Sequence, residues 1–566
     1  MNRGAETKEE ISSRFILRAF WVLGLFVFLS FFLLLRATYL QVLNKDFYIS
    51  QGESRQIRYP AIAAYRGTIS DRNNKPLAIS TPVDSISINP RNFDSSSNNL
   101  KSLSVLLGLD LKKLKNKIKQ NTASGHLYIK RHVSIDISKK VKALNINNLN
   151  FTREYRRSYP AGEITAQLLG YADIDEIGIE GIELQYENWL RGIAGKKKVL
   201  KDRYSRSFEN IGVINTAKPG KDLRLSIDLR LQHVANKILK ESIIEHKAQS
   251  GSVVVLNALT SEVLAIVNQP SFDNNERSVI NPSLVRNRAI IDMYEPGSSF
   301  KPFVIANAIE SGDYDSSSLV DTSPIKIGKK VIKDPNDLGV TDLATILRKS
   351  SNAGMSRISL TLDSENLWEM LNNFGFGSLS TSGFPGEAWG ELHHHSLWGD
   401  LGKATLSYGY GVSVTPLQLA QAYATLANDG IRMPITLLAG QIGEGQKVIS
   451  EETAYDVQLM LEGTSKKAAI EGYRVGGKSG TAKKTSGSGG YTEDRYRSFF
   501  AGIAPLDDPK LVVVVFIDEP TGDYYYGGDV AAPVFSKVTA ESLRLLSIPP
   551  SYAPFHDVSR IANADF

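Results

Sequence analysis

The sequence predicts an α+β protein with a membrane-spanning helix at the N-terminus, a mixed α/β region after it, and a C-terminal domain whose antiparallel sheet is packed between helices. Three observations carry that prediction. Ala19 to Leu35 is an uncharged, almost wholly apolar run of 17 residues, the short end of what crosses a bilayer. From Ser250 on, strand patterns stand at both ends of the stretch with helical periodicity between them, so the two halves of that stretch should close one sheet. A chain of 566 residues, 42% of them apolar, has room for two or three domains that each bury a core.

Arg3, Lys8, Arg14 and Arg18 precede the apolar run and Arg36 closes it. Ala37-Thr38-Tyr39 is not a small-residue cleavage site, so residues 19–36 read as a retained anchor, with 1–18 in the cytoplasm and everything after Arg36 outside. The net charge of +6 is modest and dispersed, which gives no footprint for nucleic acid. The absence of cysteine excludes disulfides and thiolate metal sites.

Residues 37–220 form the mixed α/β region. Arg66 to Ala78 reads as strand, turn and strand with Asn73-Asn74 at the turn, Asp94 to Asn99 as a polar loop, and Leu100 to Leu144 as helices with solvated lysines. Arg153 to Gly195 alternates charges and glycines with packing residues, the pattern of structural salt bridges at a domain junction. Pro219-Gly220-Lys221-Asp222 marks a boundary before a strand at Leu223 to Ile227 and a helix at Leu229 to Glu245.

Residues 221–549 form the larger domain, followed by a tail, 550–566. Val253 to Leu256 and Val263 to Val267 make a hairpin; Tyr473 to Thr481, Phe499 to Ala504 and Leu511 to Ile517 are three more strands, with a mobile Gly/Ser-rich loop at Thr485 to Gly490. Between them lies Tyr294-Glu295-Pro296-Gly297-Ser298-Ser299-Phe300-Lys301-Pro302. Pro302 fits only the first turn of a helix, so the helix should start at or near Ser298, and Ser298 and Lys301 then share one face. A serine hydroxyl becomes a nucleophile when a neighbouring base takes its proton. For Lys301 to be that base near neutral pH, a pKa ordinarily near ~10.4 has to fall by about three, roughly 4 kcal/mol of environment, which burial and a second cation can supply. Ser323-Pro324-Ile325-Lys326 has the same spacing, but its alternating Ile325, Ile327 and Val331 make it extended, where residues three apart face opposite ways.

Order separates the first pair from chance. Ser298/Lys301 is followed by Ser350-Ser351-Asn352 and then, on a predicted strand, by Lys478-Ser479-Gly480-Thr481. Together these resemble the Ser-x-x-Lys, Ser-x-Asn, Lys-[Ser/Thr]-Gly set of penicillin-binding proteins and serine β-lactamases. The anchor, Arg66 to Ala78 and Arg153 to Gly195 look like the elongated, non-catalytic pedestal of the class B penicillin-binding proteins, and Tyr408-Gly409-Tyr410-Gly411, Thr415 to Ala420 and Tyr525-Tyr526-Gly527-Gly528 resemble its division-specific branch.

The resemblance implies a septal peptidoglycan D,D-transpeptidase, acylated by β-lactams, on the outer face of a bacterial inner membrane. It implies that Ser298 attacks the donor peptide, Lys301 takes its proton, Ser350 relays a proton to the leaving amine, and Asn352 orients Lys301 and the donor. Lys478 would favour neutral Lys301, Ser479, Gly480 and Thr481 would bind the donor's terminus, and the N–H groups of Ser298 and Thr481 would form the oxyanion hole. Tyr408, Tyr410 and Tyr526 would wall the cleft. No cofactor or metal is implied, and His393-His394-His395 reads as a solvated loop because adjacent histidines cannot all face one ion. No glycosyltransferase signature is present, so strand polymerisation falls to a partner, by resemblance an FtsW-type glycosyltransferase among other division membrane proteins. An elongation-specific transpeptidase, an oxacillinase-type β-lactamase and a non-catalytic β-lactam sensor or division scaffold remain the alternatives.

Overall fold

The structure is a computed structural model that describes residues 8–93, 97–201, 207–276, 281–485 and 490–551. The cores of the polar loop at 94–99 and of the Gly/Ser-rich loop at 485–490, and nearly all of the tail, lie outside the described residues. The chain forms two compact units, and they interleave along the sequence.

The described parts of 1–64, 82–154 and 193–218 make one unit. It begins with helix α1 (Lys8–Thr38), longer than the apolar run; the helical stretch Ser13–Leu43 has a mean hydropathy of 2.3 and exposed side chains, as a bilayer-crossing segment requires. A small sheet pairs Gly195–Lys201 with Ile57–Arg58, Ala61–Ile62 and Ser207–Asn215. A separate core gathers Ile86, Ile88, Leu103, Leu114, Ile118, Ile129 and Val141. The lysine-rich helix Leu111–Gln120 shows why: Leu114 and Ile118, four apart, are its buried residues, and the Asp110 side chain caps it by accepting the Lys113 N–H.

Residues 65–81, 155–192 and the described parts of 219–566 make the other unit. The sequence divides pedestal from catalytic domain at 220, yet Ile69, Leu77, Leu168, Leu169, Ile182 and Leu190 are buried in the same core as Phe300 and Phe303. Apolar surface goes where it is covered, whatever its place in the chain. Of the charges between Arg153 and Gly195, Arg157 Nε donates to Glu183 at 2.6 Å; Arg66 Nε, from outside that stretch, donates to the same carboxylate at 2.6 Å, and all three side chains are buried.

This unit's centre is a five-stranded antiparallel sheet. Helix α2 (Leu229–Glu245) leads into β1 (Ser250–Asn257) and β2 (Val263–Gln269); β3 (Gly476–Thr485), β4 (Tyr491–Ala504) and β5 (Leu511–Asp518) follow far downstream, and the order is β2-β1-β5-β4-β3. β1 pairs with β5 from Ser250/Asp518 to Asn257/Leu511, so the two halves of the domain do close one sheet. Both faces are apolar in strict alternation. Val253, Val255, Val513 and Val515 pack toward α2 and the last helix, Gly527–Leu545, while Val254, Leu256, Val514 and Phe516 face the helices that carry the site. β3 is an edge strand, which leaves one row of its backbone groups outside the sheet.

Candidate active site

The chain enters the site as an extended segment anchored on both sides. Tyr294 stacks on Phe516 with ring centroids 4.0 Å apart and exchanges both backbone hydrogen bonds with Val414 at 2.9 Å; Gly297 N–H then donates to Gly409 O at 3.2 Å. A 3-10 turn, Gly297–Phe300, precedes helix α3 (Lys301–Glu310), with Pro302 in its first turn as expected. Residues three apart lie on one side of such a turn, so Ser298 and Lys301 share a face. From Tyr294 to Ala308 every residue is buried except Ser298.

Lys301 is wholly buried. Its Nζ donates to Ser350 O at 2.6 Å, Ser350 Oγ at 3.0 Å and Asn352 Oδ1 at 2.8 Å, so two other predicted site residues share its amine. The link between helices α4 (Leu343–Lys349) and α5 (Asn352–Thr361) makes this possible. Ser350 takes a left-handed conformation (φ 60°) at the end of α4, and Ser351 caps α5 by accepting Gly354 N–H at 2.9 Å. Asp334 braces the same corner, accepting Asn352 N–H at 2.6 Å and the Ser351 hydroxyl.

Lys478 is almost as deeply buried, 2% exposed, and donates to Ser479 O at 3.1 Å. Burial lowers its pKa to about 8. The Lys301 pKa is pushed well below the ordinary lysine value, chiefly by burial and further by the charge of Lys478, with Asp334 opposing. A lysine depressed in this way can serve as the base for the partly exposed hydroxyl three residues before it.

β3 lies directly against the nucleophile turn. A Cβ on Gly480 would stand 2.3 Å from Pro296 O, and one on Gly297 would stand 2.9 Å from Thr481 O. Both positions therefore need glycine, and Gly297 also holds φ at +56°. Thr481 Oγ1 accepts Gly527 N–H at 2.9 Å at the start of α6 (Gly527–Leu545), which leaves its own proton to donate; Gly528 lies beside the Ser479 hydroxyl. Tyr526, next in chain to Gly527, is 56% exposed with its hydroxyl 3.1 Å from that of Tyr525.

The other tyrosines differ in placement. Tyr410 meets Tyr491 edge-on at 5.4 Å, whereas Tyr408 is buried with Ile327, Ile332 and Ala404 and touches Tyr410 at 5.8 Å. His394 Nδ1 pairs with Ser396 at 2.9 Å and its ring lies 4.9 Å from that of Trp368. The second Ser-x-x-Lys is a strand: Ile325–Ile327 pairs with Lys330–Ile332. Sequence reasoning missed Asp334, which no local pattern marks, and Glu295, a carboxyl in an otherwise apolar stretch three residues before Ser298.

Residues 251–540 match the penicillin binding protein transpeptidase domain and 61–225 the penicillin-binding protein dimerisation domain. Over 531 residues the chain is 37% identical to the peptidoglycan D,D-transpeptidase FtsI of Escherichia coli K12, covering 92% of this chain and 90% of that one. The chain belongs to the class B penicillin-binding proteins. It is also 39% identical over 546 residues to the probable peptidoglycan D,D-transpeptidase PbpC of Pseudomonas aeruginosa, covering 95% and 96% of the two chains. Among solved structures, penicillin-binding protein 3 of Mycobacterium tuberculosis complexed with aztreonam is 25% identical with a TM-score of 0.68, covering 87% of this chain and 98% of that one. For this penicillin-binding protein, the elements of the transpeptidase domain are thus those that assemble the Lys301 cluster.

Proposed function

We propose that this protein is a septal peptidoglycan D,D-transpeptidase that works through an acyl-Ser298 intermediate and is inhibited by β-lactams. The observation that carries the reading is the buried Lys301 amine, hydrogen-bonded to Ser350 and Asn352 and depressed in pKa, three residues after a partly exposed Ser298. Lys301 takes the Ser298 proton as Oγ attacks the penultimate D-Ala carbonyl of a donor stem peptide. The N–H groups of Ser298 and Thr481 hold the oxyanion, and the hydroxyls of Ser479 and Thr481 with the Lys478 charge hold the donor's terminal carboxylate. Collapse of the tetrahedral intermediate breaks the amide bond, Ser350 passes the proton to the leaving D-Ala amine, and an acceptor amine then displaces Ser298 from the acyl-enzyme. Tyr410 and Tyr526 line the approach.

The same reading places α1 in the inner membrane with the N-terminus cytoplasmic and the catalytic unit outside, at the division septum beside an FtsW-type glycosyltransferase. The relation to FtsI supports it. The direct test uses full-length protein in detergent, a thioester analogue of the donor stem peptide and a free D-amino acid acceptor. Acceptor-dependent exchange that vanishes in Ser298→Ala is expected; hydrolysis with no aminolysis at saturating acceptor would refute the transpeptidase assignment.

A further inference from the structure

Glu295 is buried, 8% exposed, three residues before Ser298, and nothing above gives it work. Its Oε1 accepts two hydrogen bonds from different parts of the fold: Gly411 N–H at 2.8 Å and Tyr491 OH at 3.0 Å. Its Oε2 is buried with no hydrogen-bond partner among the described residues, so the carboxyl rests on those two donors. Gly411 ends the Tyr408-Gly409-Tyr410-Gly411 segment, one side of the cleft. Tyr491 opens β4, paired with Thr485 at the far end of the β3–β4 hairpin whose near end carries Lys478, Ser479 and Thr481. The two sides also meet directly, because the Tyr410 ring rests edge-on against the Tyr491 ring, centroids 5.4 Å apart.

We propose that Glu295 is a positioning residue that fixes both sides of the cleft, through Gly411 and Tyr491, to the turn carrying Ser298. The proposal rests on Ser298 being the acylated residue. The carboxyl touches no reacting atom; it sets where the Thr481 N–H and the β3 hydroxyls stand relative to Ser298 Oγ. Loosening that distance by about 1 Å is worth up to ~100-fold in rate, and it penalises the bond-making step more than initial binding.

The test separates binding from acylation by stopped-flow measurement of a chromogenic cephalosporin on full-length protein, giving a dissociation constant and an acylation rate constant. Glu295→Ala is expected to slow acylation about tenfold with the dissociation constant within about threefold of wild type. Glu295→Gln, whose amide oxygen accepts both donors, should stay within about threefold of wild type in both. Tyr491→Phe, at a residue 47% exposed and so safe for folding, should fall between. Adding it to Glu295→Ala should cost nothing more, since both remove one connection.

Acylation at the wild-type rate in Glu295→Ala, or in Tyr491→Phe should the alanine variant not fold, would overturn the proposal. So would Glu295→Gln as slow as Glu295→Ala, because a charge and not a tether would then be at work. A wild-type protein that is not acylated at all, or Ser298→Ala that still is, would instead bring down the functional assignment beneath it.

Discussion

Replacing Asp334 by asparagine separates two roles that one carboxylate holds. Its oxygens accept the Ser351 hydroxyl and the N–H groups of Asn352 and Ala353 at the first turn of α5, and its charge favours the protonated form of Lys301. Asparagine keeps the shape and one acceptor and loses the charge. A charge-assisted hydrogen bond contributes about 1.5–3 kcal/mol against about 1 for a neutral one, and an anion at a helix N-terminus about 0.3–1 more, so the variant should lose about 2 kcal/mol. At about 2 °C per kcal/mol for a domain this large, scanning fluorimetry should show Tm lower by about 4 °C. Activity should respond in the other sense at the acid end. Without the anion the Lys301 amine gives up its proton at lower pH, so the acid limb of acylation by a fluorescent penicillin, followed from about pH 5 to about pH 9, moves toward lower pH. An acid limb that stays put or moves upward would refute the electrostatic role, and an unchanged Tm would refute the cap.

The two lysines together set the pH profile. Acylation should rise with pH as Lys301 loses its proton and decline as Lys478 loses its own near pH 8; in Lys478→Met the alkaline limb should vanish and the acid limb move to higher pH. The same burial acts on stability. Because the folded Lys478 pKa lies below its unfolded value, the unfolded chain binds more protons between pH 8 and about 10.5, and stability rises with pH across that window. Below it Lys478 costs about 3 kcal/mol, so the Tm gap between Lys478→Met and wild type should shift against the variant as pH is raised from about 8 to about 10.5; a flat gap would contradict this. Gly409, at φ +84°, would place a Cβ 2.1 Å from Gly297 O, so Gly409→Ala should cost roughly 2–4 kcal/mol and slow acylation about 100-fold, whereas Gly402→Ala, with open space around it, should change neither.

What could be read in advance follows the range of the physics. The helix from Leu229 to Glu245 and the hairpin of β1 and β2 were legible because periodicity and turn residues are local. The three motifs were legible through their order, and burial then brings Lys301, Ser350 and Asn352 within hydrogen-bond distance. The interleaving of the two units was not, since nothing near Leu168 or Ile182 says which core will cover it. Asp334 was invisible for the same reason: it meets Asn352 only because the chain returns through the strands Ile325–Ile327 and Lys330–Ile332. Tyr408 showed the limit of a motif, which marks a neighbourhood and leaves open which ring faces it.

The account turns on Ser298 being the residue that Lys301 activates, and locating the acyl group tests that most directly. Full-length protein and Ser298→Ala would be incubated with benzylpenicillin in detergent, digested, and mapped by mass spectrometry. A stable penicilloyl adduct confined to the peptide containing Ser298, and absent from the variant, is the expected result. An adduct elsewhere, an adduct that persists in the variant, or none in the wild type would contradict it.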